Sequence, residues 1–194
     1  MKRLLFVLIA FTVIFTGCTM RYVLKDSIRP DVVLENKSDE RVLVLIDDTI
    51  KNYTESIHAS SLEGSIHTYV VSLGSAFYDG LVSSVKSKYL NVTVYDGITK
   101  GSFDKTIKFT LTEHKLKFVY ATELFSTKAI VDFKAEIEMT ITDDKNKIIK
   151  TKRIEGNSDF EGDANETTVD KYLGQTAKEG IKQIVNRTVS ELIQ

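Results

Sequence analysis

A single cysteine, Cys18, in a chain of 194 residues excludes any internal disulfide and leaves metal ligation, thiol reactivity or covalent modification as its uses. The three histidines, His58, His67 and His114, have no metal-ligand spacing and no cysteine companion, so neither a metal site nor a histidine-based catalytic set is expected. Charge of either sign is never in large excess: 26 Lys and Arg face 27 Asp and Glu. The basic surplus that holds a nucleic-acid backbone is missing, and that partner class is excluded. What is present, 42% hydrophobic and 27% charged residues, is ordinary for a globular domain with a sizeable core.

The surroundings of Cys18 select among its uses. Lys2 and Arg3 precede an apolar stretch over residues 4–15, broken only by Thr12, and the small Gly17 stands directly before the cysteine. A basic start, an apolar middle and a small-residue end are the layout of a secretory signal. As a helix of about 12 residues the stretch reaches about 18 Å, short of the roughly 30 Å hydrocarbon core, so a permanent span is not expected. Phe15-Thr16-Gly17-Cys18 resembles a bacterial lipobox, where signal peptidase II cuts before the cysteine and a diacylglycerol is joined to its sulfur. The resemblance implies a signal peptide over residues 1–17 and lipidation at Cys18. Thr19 stands where an aspartate would retain such a protein in the inner membrane, which implies an outer-membrane anchor with the domain facing the periplasm. Loss of Lys2 and Arg3 takes 26 basic residues to 24 against 27 acidic, a net charge of −3.

Residues 19–40 hold the only proline, Pro30, and no sustained period, and read as a tether. If flexible, about 22 residues have a root-mean-square span of about 25 Å and a limit near 70 Å. Residues 41–194 read as one α+β domain. "RVLVLI" from Arg41 predicts a central strand buried on both faces, and "SAFYDGLVSSVKSKYL" predicts a helix with Ser75 as its cap. Ile107, Phe109 and Leu111 alternate on odd positions but Leu116, Phe118 and Tyr120 on even ones, so a bulge is expected between 112 and 115. Val131 to Ile141 alternate with Asp132, Lys134, Glu136 and Glu138, and "TDDKNK" is a hairpin turn. A stripe from Val169 to Leu192 predicts a long amphipathic helix. The expected fold is a single, mostly antiparallel sheet with two helices packed on one face.

Motifs with chemical meaning are few. Gly74 at a strand-to-helix junction reads as a structural turn sooner than an anion cradle. Residues 159–170 imitate a calcium loop, but Ala164 takes the sixth place, where glycine is needed, and Asp170 the twelfth. Asp163 and Glu166 read better as a helix capping box. No catalytic, cofactor-binding or metal-ligating residues are assigned, and an enzyme is not expected. Leu124 and Phe125 are set apart: they fall at the tip between two well-patterned strands, where polar residues are usual, and are the candidate partner contact.

The stretch from Phe125 to Leu192, an alternating strand, a polar turn, a Lys-rich return strand ending in glycine and an amphipathic helix, resembles the C-terminal half of YajG-type bacterial lipoproteins. The lipobox, the early strand and "YVVSLGSAFYDGLVSSVKSKYLNVTVYD" are similar to the wider group of small envelope lipoproteins that includes transport-auxiliary members. The resemblance implies an α+β lipoprotein that works by binding in the envelope and carries no catalytic residues. The expected function is a membrane-anchored binding or scaffold component that holds an envelope protein. The alternative is an accessory of a lipid-trafficking or ABC-type transport system, which predicts a cavity lined by Phe133, Ile137 and Ile184. A hydrolase needs converging polar groups that no motif supplies.

Overall fold

The computed structural model describes residues 19–25, 27–32, 34–60, 66–98, 101–123, 126–163 and 169–194. Its strands are β1 (Thr19–Val23), β2 (Ser38–Ile46), β3 (Thr54–Ser60), β4 (Ile66–Ser72), β5 (Tyr89–Val94), β6 (Lys105–Glu123), β7 (Ser126–Asp143) and β8 (Ile148–Asp163). Its helices are α1 (Asp48–Lys51), α2 (Gly74–Lys88) and α3 (Val169–Ile193).

Period-two patterning builds the largest feature, the antiparallel meander β6-β7-β8. Val131, Phe133, Ala135, Ile137, Met139 and Ile141 are buried on one face of β7, while Asp132, Lys134, Glu136 and Glu138 look outward. The slip of phase in β6 is the expected bulge. Leu111 pairs with Ile137 but Glu113 pairs with Glu136, which leaves Thr112 as the extra residue. Its hydroxyl donates to the Glu136 carbonyl at 3.1 Å and carboxylate at 2.8 Å. The insertion turns Leu116 and Phe118 onto the buried face already occupied by Ile107 and Phe109.

The expectation of a single antiparallel sheet with two helices is overturned. The strands form two sheets, ordered β1-β4-β3 and β5-β2-β6-β7-β8, and the described residues hold three helices. β2 runs parallel to both β5 and β6, and β1 runs parallel to β4. Side-chain alternation reports which face a residue takes but not which way its neighbour runs, and α2 carries the chain over so that β5 returns in the direction of β2.

One face of the five-stranded sheet is covered in two halves. In one half α2 lies over β2 and β5 and α3 over β7 and β8, with the Phe77 ring of α2 at 6.3 Å from that of Phe133 on β7. Over the other half lies the small sheet, joined to β6 where the Tyr69 and Phe118 rings meet edge to face at 5.7 Å. The opposite face has no helix on it among the described residues. Val42, Val44 and Ile46 are therefore fully buried while Leu43 and Leu45 are only half-buried, against the expectation of burial on both faces.

The described residues of 19–40, a stretch read as a tether, are packed against the body instead. β1 pairs with β4, Leu24 and Ile28 are buried in the core, and Asp31 is held by Asn186 and by Lys182, each contact at 2.9 Å. Their apolar residues are taken up by several separate elements, so no single period marks them. α2 begins at Gly74 without a side-chain cap, and the Ser75 hydroxyl donates to the Leu24 carbonyl at 3.2 Å.

Candidate functional site

The structure disperses the residues that carry chemistry. His58 sits on β3 with the Thr68 hydroxyl at 3.1 Å. His114 sits on β6 with its Nδ1 2.7 Å from Glu55 Oε1, and the Tyr53 hydroxyl donates to that same oxygen at 3.1 Å. Burial, with the Glu55 charge beside it, pushes the Tyr53 hydroxyl up from its ordinary value. This trio pins the small sheet to the meander; with 59 positions between Glu55 and His114, spacing alone gave no signal of it. Among the described residues no group of three or more His, Cys, Asp or Glu is arranged to hold a metal. Cys18, Leu124, Phe125, the His67 side chain and residues 164–168, which include Ala164 and Glu166, lie outside the described residues.

At the Gly74 junction the free amides are already used. The N–H groups of Leu73 and Gly74 both donate to the Tyr53 carbonyl, at 2.9 and 3.2 Å. A Cβ on Gly74 would lie 2.0 Å from the Lys51 carbonyl oxygen, so glycine is required there for close packing of α2 on α1.

The cavity required by a lipid-carrying interior is filled. Phe133, Ile137 and Ile184 are buried against one another's elements, and a Cβ on Gly156 would stand 2.1 Å from the Gly180 carbonyl oxygen. Glycines on facing elements bring α3 directly onto β8, and the space closes.

Function is therefore sought on the surface. The uncovered face of the meander is a ladder of exposed charge, in which Lys134 meets Glu113 at 3.0 Å and Glu155 at 3.7 Å. Such pairs are solvated and hold little free energy. One edge of the same sheet, at β5, is different. Among the described residues β5 has β2 on one side and no strand on the other; Leu90 on it is 60% exposed, and Ile98, beyond its end, is 78% exposed, with Tyr95 between them. Beside this edge opens a cleft of about 590 Å³, lined by Arg41, Leu90, Val92, Gly101 and Phe103 among others. Asp104 holds Arg41 in place: its carboxylate accepts from the Arg41 backbone N–H at 2.8 Å and from the guanidinium at 3.3 Å. Those two bonds, the backbone one first, hold the Asp104 carboxyl below its ordinary value. Exposed apolar side chains, unpaired backbone and a fixed cation together form a surface fit for an extended peptide segment.

No family model matches the chain, and no curated protein matches it by sequence. Solved structures match its fold. A Xanthomonas campestris protein of the DUF330 family is similar to it at a TM-score of 0.56 and 9% identity, covering 89% of this chain and 94% of that one. A minor lipoprotein of Acinetobacter baumannii gives 0.45 at 6% identity, over 80% and 92% of the two chains. A Helicobacter pylori protein described as a homologue of a neuraminyllactose-binding hemagglutinin gives 0.44 at 12%, over 88% and 91%. The first likeness shows that the chain shares the DUF330 fold, and it reaches no further than fold. The YajG-type relationship finds no confirmation in these matches.

β5 runs toward a turn at Gly97, whose φ is 107°, and the sequence pattern gives no sign of its edge position. Edge or interior is decided by partners elsewhere in the chain. Among the described residues no helix is long and apolar enough to cross a membrane.

Proposed function

We propose that this chain is a lipid-anchored protein of the bacterial envelope, held to the outer membrane through Cys18, that works by binding a protein partner and not by catalysis. The observation that carries the reading is the open β5 edge, with Leu90 and Ile98 exposed beside the Arg41 cleft. A partner strand added there gains main-chain hydrogen bonds along β5 and apolar contacts with Leu90 and Ile98. Leu124 and Phe125, which follow β6 and precede β7 in sequence, are the second candidate contact. The anchor confines the domain to one membrane surface, since two or three acyl chains hold far more firmly than the one chain that gives reversible attachment.

The test is capture from bacterial membranes after mild crosslinking, with each protein normalised to its folded amount. A defined partner in fixed stoichiometry should be recovered with the wild type and lost with Leu90→Asp/Ile98→Asp, whose surface positions leave stability within about 0.5 kcal/mol. An unchanged partner set contradicts the edge as the contact. Loss of the partner in Leu124→Asp/Phe125→Asp alone would move the contact to the loop.

A further inference from the structure

A second cleft, of about 560 Å³, opens where the segment before β2 runs along the outer face of α2. The helix supplies Asp79, Val82, Ser83, Lys86 and Ser87, which share one face at three- and four-residue spacing, while Phe77, Leu81 and Val85 on the other face are buried in the core. The segment supplies Ser27, Arg29, Pro30 and Lys37. Contacts along the helix hold it in place, so this wall of the cleft is fixed. The Ser75 hydroxyl donates to the Leu24 carbonyl, Ile28 is buried beside Gly80, and the Lys37 ammonium donates to the Lys86 carbonyl at 2.7 Å.

The cleft gathers positive charge that the fold does not neutralise. Arg29, Lys37 and Lys86 line it against one carboxylate, that of Asp79. Elsewhere on the surface lysines meet carboxylates, as Lys134 meets Glu113 and Lys182 meets Asp31. Among the described residues neither Arg29 nor Lys86 forms an ion pair, and Asp31, two positions from Arg29, is turned to Lys182 and Asn186 of α3. The C-terminal end of a helix is partly negative and repels an anion. Here the Lys37 ammonium covers the Lys86 carbonyl and keeps its other N–H groups for a ligand.

We infer that this cleft binds a phosphate group. The guanidinium fork of Arg29 and the ammonium groups of Lys37 and Lys86, from two separate elements, offer more donors than the two oxygens of a carboxylate can use, and they suit a tetrahedral oxyanion. The half-buried Ser83 adds a hydroxyl donor, whereas the Ser87 hydroxyl is spent on the Ser84 carbonyl. A phosphate alone does not fill the space. Asp79, about 10 Å along α2 from Lys86, accepts from hydroxyl or ammonium groups of the molecule that carries the phosphate. Phospholipid headgroups and soluble phosphomonoesters share this chemistry. The site depends on neither the β5 edge nor lipidation of Cys18.

The test is calorimetric titration of the full-length protein, in non-ionic detergent and chloride buffer, with two probes. Glycerol 3-phosphate is a soluble monoester, and glycerophosphoethanolamine is a phospholipid headgroup without its acyl chains. Saturable one-to-one binding of at least one probe is expected, and the tighter of the two assigns the source of the phosphate. Arg29→Gln/Lys86→Gln should weaken it about tenfold or more, the loss of one or two charge-assisted hydrogen bonds. Lys145→Gln/Lys147→Gln, at exposed lysines of the β7–β8 turn, should leave it unchanged. Asp79→Asn removes the negative charge of the cleft, so it should tighten glycerol 3-phosphate and weaken glycerophosphoethanolamine, a pair of opposite changes that misfolding does not produce. No saturable binding of either probe would overturn the site. Equal weakening by the two pairs of cation variants would overturn it as well, by reducing the attraction to overall charge.

Discussion

Gly180 faces Phe133 so closely that a Cβ on it would lie 2.1 Å from the ring Cδ1. The ring is buried beneath α3 and has no open side to turn into. Gly180→Ala is therefore expected to cost about 1–3 kcal/mol through overpacking. Gly156→Ala, whose Cβ meets the Gly180 carbonyl oxygen, is expected to cost more because backbone has to move. Urea denaturation midpoints test both, and a midpoint unchanged in either variant contradicts the close seating of α3.

Thr112 is the bulge residue of β6, and its worth lies in its presence more than its side chain. Thr112→Ala removes exposed hydrogen bonds and should cost about 1 kcal/mol or less. Deletion of Thr112 shifts the rest of β6 by one, which sends Leu116 and Phe118 outward or breaks the pairing with β7. Circular dichroism should show the deletion unfolded at 25 °C while the alanine variant melts cooperatively. A folded deletion variant would show that the register is set elsewhere.

Glu40 and Lys105 form a half-buried pair at 2.8 Å. The Lys105 ammonium, bonded to the Glu40 carboxyl, holds it below its ordinary 4.5. Burial is the largest single influence on Lys105 and works against its charge, but the bond to Glu40 together with the nearby Tyr89 and Glu40 charges outweighs it and the ammonium is raised above 10.5. A depressed carboxyl contributes stability that is full above 4.5 and disappears as pH falls through its lower folded value. A raised lysine contributes stability that is full below 10.5 and disappears as pH rises through its folded value. Glu40→Gln is expected to cost under about 1 kcal/mol at pH 7 and nothing once the pH is well below 4. A gap between variant and wild type that stays constant from pH 7 to pH 3 contradicts the assignment.

Legibility in the sequence followed the range of the interactions. The β7 alternation, the β6 bulge, the Asp143–Lys147 turn and the α3 stripe are set by residues near in sequence, and each was readable. The second sheet was not: β4 pairs with β1 across about 50 positions, and the parallel directions of β1 and β2 leave no mark on side-chain alternation. The four-residue α1 was missed because one turn carries no period, although Asp47 caps it by accepting from the Thr49 N–H. For the candidate surfaces, Leu90 and Ile98 drew no notice because an isolated exposed hydrophobic residue is ordinary; only the free edge beside them gives them meaning.

The account turns on Cys18. Mass spectrometry of the N-terminal peptide of the protein made in a lipoprotein-processing bacterium tests it most directly. The account predicts a chain beginning at Cys18 whose first residue carries a diacylglycerol, with Cys18→Ala leaving Met1 in place and no lipid. A wild-type chain that begins at any other residue, or at Cys18 with a free thiol, would contradict the anchor.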